Sequence, residues 1–278
     1  MTTEAKWRLI PYKTRSGGEN MAIDFMLAQT KHSTPILRFY GWQPYAISLG
    51  YHQKRDWLDF TRVQEDGFEL VRRPTGGRAI LHGEELTYSV ILPATISLAK
   101  ENTQTIHNRI SRGLAAGLRQ LGLPAELRKV STDLRRHYRQ NRTSATCFSS
   151  TTKHEIQIHG KKVVGSAQRK FRHAVLQHGS ILIGPVHRQI AEFTRGSEKF
   201  RDRMTETLRE KTTELESCTD DQIPPEELAG SVTNGFRSEL GCVFYLSELR
   251  PAELEESIQY LQKFTCAPDY EPPTAASV

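Results

Sequence analysis

A chain of 278 residues, 37% hydrophobic and 25% charged, has enough apolar material for one large domain and the make-up of an ordinary globular protein. Its 38 Lys and Arg outnumber its 32 Asp and Glu, so a net charge of +6 favours acidic partners, yet no zinc-finger spacing, RNP-like aromatic motif or recognition helix accompanies it. Nucleic acid is therefore not expected, and an acidic protein explains the charge equally well. The segment Met1-Thr2-Thr3-Glu4-Ala5-Lys6-Trp7 carries no apolar leader and no run is long enough to span a bilayer, which points to a cytoplasmic protein with no membrane partner.

In chain order, Lys6 to Tyr12 predicts an opening strand. Asn20 offers an N-cap for a helix with Ala22, Ile23, Met26 and Leu27 on one face. Ile36 to Tyr40 and Ala46 to Leu49 read as strands around a turn at Gly41-Trp42-Gln43-Pro44. A short helix follows from Trp57 to Gln64, then strands at Phe68 to Arg72, Ala79 to Leu81 and Leu86 to Leu92. Ile106, Ile110, Leu114, Leu118 and Leu121 mark an amphipathic helix stopped by Gly122 and Pro124. The polar, basic stretch from Glu126 to Arg142 predicts a loop with at most one helical turn.

Glu155 to Ile158, Lys162 to Ala167 and Val175 to Ile183 predict further strands, the first two joined at His159-Gly160. Helices are predicted at Arg188 to Phe193, Lys199 to Lys211, Glu226 to Leu240 and Ala252 to Phe264, the last with the stripe Leu254, Ile258, Leu261. The tail after Pro268 is expected to be disordered. Strands joined by short turns, followed by a helical end, make the fold class α+β with a mixed, largely antiparallel sheet.

Cys147 stands apart from Cys218, Cys242 and Cys266. Those three lie in or beside the helical patterns, where a buried inert thiol is expected, whereas Cys147 is flanked by Ser and Thr in Ser144-Ala145-Thr146-Cys147-Phe148-Ser149. Fifteen residues on lies Lys162, in Gly160-Lys161-Lys162-Val163-Val164-Gly165-Ser166-Ala167-Gln168. A thiol and an amine on adjoining elements suit covalent acyl chemistry, because thiolate is the nucleophile and a nearby cation favours it. The competing reading makes Lys162 a solvated hairpin charge. The small residues after it leave room for a ligand against the backbone.

Arg72-Arg73-Pro74-Thr75-Gly76-Gly77-Arg78 joins two strands through paired glycines that permit close backbone approach; a plain hairpin with solvent-facing arginines stands at even odds. It matches neither a P-loop nor GxGxxG. His82 and His178 could position a substrate, although a single strand-end His is more often structural. With Cys147 the histidines give no metal-ligand spacing, so no metal is expected. The basic passage Arg128-Lys129, Arg135-Arg136, Arg139 and Arg142 reads as a solvated loop that could also dock an acidic carrier.

Taken together, Asn20-Met21-Ala22-Ile23-Asp24, Leu37-Arg38-Phe39-Tyr40, Arg72 to Arg78, His82, Leu86-Thr87-Tyr88-Ser89, Gly160 to Gln168 and His178-Gly179 resemble the lipoate ligase and octanoyltransferase superfamily. That superfamily shares its catalytic fold with biotin protein ligases. The resemblance runs from about Trp7 to Leu182, with family-like helices to about Phe264. It implies that residues 1–267 form a single catalytic domain and 268–278 a tail.

Within the superfamily the chain is most similar to LipM-type octanoyltransferases, which move octanoyl from acyl carrier protein through a cysteine thioester to a lysine of a lipoyl-accepting protein, such as the glycine cleavage H protein. The resemblance makes Cys147 the acyl-thioester cysteine and Lys162 the lysine that contacts the acyl carbonyl. It places Arg73, Gly76, Gly77 and His82 at the acyl pocket, with Gly165, Ser166, Ala167, His178 and Gly179 binding substrate. No cofactor is implied. Arg78 replaces the third glycine usual in ATP-dependent ligases, and Ser149-Ser150-Thr151 replaces a proline frequent after the Cys-Phe pair. An amidotransferase between lipoyl-domain proteins and an ATP-dependent lipoate ligase remain the alternatives.

Overall fold

The computed structural model describes residues 5–129 and 154–266. Cys147, the basic residues Arg135, Arg136, Arg139 and Arg142, and the predicted tail lie outside them.

Strands β1 (Ala5–Ile10) and β2 (Thr14–Arg15) lead into α1 (Gly17–Gln29). This helix begins earlier than the Asn20 cap predicted. Ser16 caps it, its Oγ accepting from the Glu19 amide while the Glu19 carboxylate accepts from Ser16 N–H. Asn20 lies inside the helix, fully buried, and donates to Gly41 O at 2.9 Å.

β3 (Ile36–Trp42) runs on through Gly41 and Trp42, where a turn was predicted, and β4 (Ala46–Leu49) leaves for a different sheet. Next come α2 (Phe60–Glu65), β5 (Glu69–Arg72), β6 (Ile80–His82) and β7 (Glu85–Pro93). α3 (Ser97–Lys100) precedes α4 (Thr103–Gln120), whose predicted stripe is buried at Ile106, Ile110, Leu114 and Leu118, while its last member, Leu121, caps the helix end and is half-buried.

Glu126 to Lys129, predicted as loop, is β8 (Glu126–Lys129) and pairs antiparallel with β9 (His154–Ile158). The single strand predicted from Lys162 to Ala167 is two. β10 (Lys161–Lys162) pairs with β9, Val163 N–H donates to Ile156 O, and from Val164 the chain enters another sheet as β11 (Val164–Lys170), followed by β12 (Ala174–Leu182).

Pro185–Ala191 forms a 3₁₀ helix, and α5 (Glu198–Lys211) and α6 (Pro225–Leu240) follow. β13 (Cys242–Leu246) was not predicted. The last predicted helix divides into α7 (Pro251–Ile258) and α8 (Leu261–Phe264). Ile258, placed on its buried stripe, is 61% exposed. Glu253 takes the inward position instead, because its carboxylate meets the buried guanidinium of Arg8 at 2.6 Å.

The largest sheet runs β11-β12-β7-β3-β1-β13, with β2 beside β3. It is mixed: β1 pairs parallel with β3 and β13, while β3, β7, β12 and β11 pair antiparallel. The smaller sheets run β10-β9-β8 and β5-β4-β6. α4 and α6 cover one face of the large sheet around Trp7, Leu37, Leu114 and Phe236. α1 lies against the other face through Ile23, Met26 and Leu27, and reaches β4 and β5 through Met21, Ala22 and Phe25. Being packed between two sheets, it is buried on every side from Asn20 to Ala28, so its apolar positions form no single stripe. No described helix is long and apolar enough to cross a membrane.

His187, on the 3₁₀ helix, donates through Nε2–H to Thr212 Oγ1 at 2.8 Å, since the Thr212 hydroxyl is itself committed to Leu208 O. Burial, then the charge of Arg188, push its pKa down to about 4. The unfolded chain therefore binds a proton at this imidazole that the folded chain refuses between pH 6.5 and about 4. The stability gained by keeping it neutral is complete above the unfolded value and falls by about 3 kcal/mol as pH drops through that window. Urea midpoints taken from pH 7 to 4.5 should decline less steeply in His187→Gln than in the unaltered protein; parallel declines would refute the assignment.

Candidate active site

The glycine loop does not form the hairpin that stood at even odds. β5 and β6 are not paired with each other; they flank β4, one parallel and one antiparallel, and the loop crosses over the end of that strand. Arg73 holds the crossing from inside. Buried to 3% exposure, it donates to Gly76 O at 2.9 Å, to Arg78 O at 2.7 Å and to Ser48 Oγ at 3.2 Å. Gly77 has φ +99°, a conformation that suits glycine.

Between this loop, β4 and β6 on one side and β7, β11 and β12 on the other lies a narrow slot of about 20 Å³, with Met21, Tyr40, Trp42 and Ile80 among its walls. Six of the residues the resemblance indicated, Arg73, His82, Gly165, Ala167, His178 and Gly179, line it. β11 and β12 meet closely here, for a Cβ on Gly179 would fall 2.2 Å from Gly165 O. Gly76 and Gly77 shape the loop without lining the slot, and Ser166 is hydrogen-bonded to Tyr88 Oη at 2.7 Å. A volume of about 20 Å³ admits about one water, so an acyl chain enters only by displacing side chains.

Both histidines belong to buried polar chains. His178 Nδ1–H donates to Asp24 Oδ2 at 2.9 Å and its Nε2 accepts from the Thr75 hydroxyl at 2.7 Å. Burial lowers the His178 pKa and outweighs the opposing pull of Asp24, which keeps the ring neutral and consistent with that tautomer. Burial alone would raise Asp24. The hydrogen bond from His178 and the guanidinium of Arg38, 2.7 Å away, together hold its carboxyl below the ordinary value. Tyr40 adds a third bond to the same carboxylate at 2.9 Å.

In the second chain, His82 lies flat on the Trp42 indole, ring centroids 3.9 Å apart. Its Nδ1 meets Glu85 at 2.8 Å and its Nε2 meets Ser48 Oγ at 2.7 Å. Glu85 also accepts from Ser180 at 2.6 Å and from Thr87. Burial pushes Glu85 up, but these partners, led by His82, leave its carboxyl below the usual range. Among the described residues, the polar side chains that line the slot are thus fixed before a ligand arrives, a preorganised wall.

Lys162 is not a solvated hairpin charge. It is 4% exposed, with Nζ 3.2 Å from Glu155 Oε1, and it does not line the slot. Asp24, Arg38, Tyr40, Ser48, Thr75 and Glu85 were given no role from sequence. A signal existed for some of them. An arginine and a tyrosine alternating with Leu37 and Phe39 along a buried strand mark a polar face, and His82-x-x-Glu85 puts a carboxylate beside an imidazole across a tight turn.

Residues 16–237 match the model of the lipoyl protein ligase A/B catalytic domain, and the chain belongs to that family. Within it, the chain is 35% identical over 263 residues to the octanoyltransferase LipM of Kyrpidia tusciae, covering 93% of this chain and 96% of that one. It is 34% identical over 261 residues to octanoyltransferase LipM of Bacillus subtilis, covering 90% and 91%. Among solved structures, a bipartite lipoate protein ligase from Thermoplasma acidophilum superposes with a TM-score of 0.75 over 93% of each chain at 22% identity, a likeness of fold.

Proposed function

We propose that this chain is an octanoyltransferase of lipoate assembly, an acyltransferase that takes octanoyl from acyl carrier protein and places it on a lysine of a lipoyl-accepting protein such as the glycine cleavage H protein. The observation that carries the reading is identity of about 35% along nearly the whole of both chains to proteins named octanoyltransferase LipM. Cys147 and Lys162, fifteen residues apart, supply the nucleophile and the cation that such chemistry requires.

In the first step the Cys147 thiolate attacks the carbonyl carbon of the donor thioester. A tetrahedral oxyanion forms and collapses, expelling the carrier's thiolate, which takes a proton from solvent, and leaving octanoyl on Cys147. The Lys162 ammonium, held by Glu155, favours the thiolate and offers N–H donors to the oxyanion. In the second step a neutral lysine ε-amine of the acceptor attacks the enzyme thioester, the Cys147 thiolate departs, and the amine's extra proton passes to solvent or to that thiolate. Thioester to amide runs downhill, so the reaction draws on neither ATP nor a metal. A net charge of +6 suits acidic carriers and acceptors, whose encounter weakens with salt.

Intact mass tests the reading. Mixed with octanoyl acyl carrier protein and no ATP, the protein should gain one octanoyl group that hydroxylamine removes. An adduct formed only from free octanoate and ATP would make it a ligase instead.

A further inference from the structure

We propose that Arg169 and Lys263 form a seat for the phosphodiester of the donor's thioester arm, at the outer end of the acyl slot. The proposal rests on the octanoyltransferase reading, because an acyl carrier protein presents its acyl group on a phosphopantetheine arm, and that arm must lie outside the slot while the acyl chain lies within.

The slot has a closed end and an open end. Ser48 and Ser180 are fully buried and Trp42 is 2% exposed, so the wall they share with His82 is sealed. Along β11 the floor is Gly165 and then Ala167. Side chains alternate on a strand, so the next residue on that face is Arg169, about 7 Å further on. Arg169 is half-buried, while Lys170 beside it and Lys263 are exposed, so the floor emerges at the surface there.

Both cations are held in place by aromatic rings. Arg169 Nη1 donates to Pro74 O at 2.9 Å, in the loop whose Arg73 and Thr75 reach the slot wall, and its guanidinium carbon stands 4.4 Å from the Tyr51 ring centre and 4.9 Å from that of Phe171. Phe171 meets Phe25 edge-on, and Lys263 Nζ lies 4.2 Å from the Phe25 ring centre. Among the described residues no carboxylate lies within 4 Å of either cation. Although Lys263 is exposed overall, partial desolvation where it lies on the ring, and then the Arg169 charge, lower its pKa, so the two cations repel each other. Two neighbouring cations, ordered by ring faces and compensated by no described carboxylate, suit a bound anion, and a planar guanidinium matches phosphate oxygens in particular. Lys263 comes from α8, beyond the 16–237 segment that defines the family.

The test uses two donors that differ only in the phosphate, octanoyl-4′-phosphopantetheine and octanoyl-pantetheine, offered to the full chain while acyl-enzyme formation is followed by intact mass. kcat/KM should favour the phosphorylated donor by roughly tenfold, the size of one charge-assisted contact. That ratio should shrink toward one in Lys263→Gln and in Arg169→Gln. A ratio near one in the unaltered protein, or an unchanged ratio in both variants, would overturn the seat. If neither donor acylates the protein, the octanoyltransferase reading has failed, and calorimetric titration decides the seat separately. Binding of 4′-phosphopantetheine but not pantetheine, lost in Lys263→Gln, upholds it; equal binding of both, or tighter binding of adenosine monophosphate, removes it.

Discussion

Replacing Cys147 with alanine should lower octanoyl transfer from acyl carrier protein by at least roughly a thousandfold, because removing the atom that carries the acyl group removes both half-reactions. The other thiols offer no substitute. Cys242 and Cys266 are buried, and burial pushes each thiol up to about 11, so neither is thiolate near neutral pH. Cys218 is half-buried, with Sγ 3.3 Å from Glu214 O as a donor. The hydroxylamine-labile adduct seen by mass should therefore vanish with Cys147. Cys147→Ser should form an oxyester slowly at most, since a serine hydroxyl is a far weaker nucleophile without a base beside it. Transfer at the unaltered rate in Cys147→Ala would end the covalent mechanism. Lys162→Ala offers a separate check: iodoacetamide alkylation of Cys147 near neutral pH should slow, and an unchanged rate would count against the cation's part in forming the thiolate.

What the sequence displays depends on how many sides of an element are covered. α4 packs on one face only, so its stripe from Ile106 to Leu118 was legible. α1 is covered all round, which hid its start; Asn20 resembles a cap, but its side chain is spent inside on Gly41 O and the Arg38 guanidinium. β13 is separated from a long helix by Gly241 alone, and its Val243, Tyr245 and Leu246 are apolar yet exposed at the sheet edge, so no alternation of hydropathy announced it. In the site, glycines and histidines are visible as types, but their partners come from distant segments. Asp24 and His178 are 154 residues apart, and Thr75 reaches the same ring from a third place in the chain. Single-strand periodicity carries no information about such pairings; the ordered set of motifs pointed to the family and to the two histidines, but not to the partners that hold them.

Asp24 is where this convergence has its largest energetic consequence. Its carboxylate is fully buried and receives Arg38, Tyr40 and His178 within 2.9 Å. Asp24→Ala would leave a guanidinium at 2% exposure without its counter-charge and would strip a partner from a buried hydroxyl and a buried ring N–H. Breaking a buried ion pair from one side costs about 3–5 kcal/mol, enough to lower Tm by roughly 10 °C in a chain of this size. The pair as a whole contributes far less, because both charges were desolvated to make it. Arg38→Met in the Asp24→Ala background should therefore regain part of the loss, giving a coupling energy of at least about 1 kcal/mol in a double-mutant cycle. Additive losses would show that the two side chains act independently. The same carboxylate also fixes His178, which fixes Thr75 and with it the glycine crossover. At temperatures where Asp24→Asn stays folded, KM for the octanoyl donor should rise more than kcat falls, because the amide keeps the volume but loosens the wall against which the acyl chain is held.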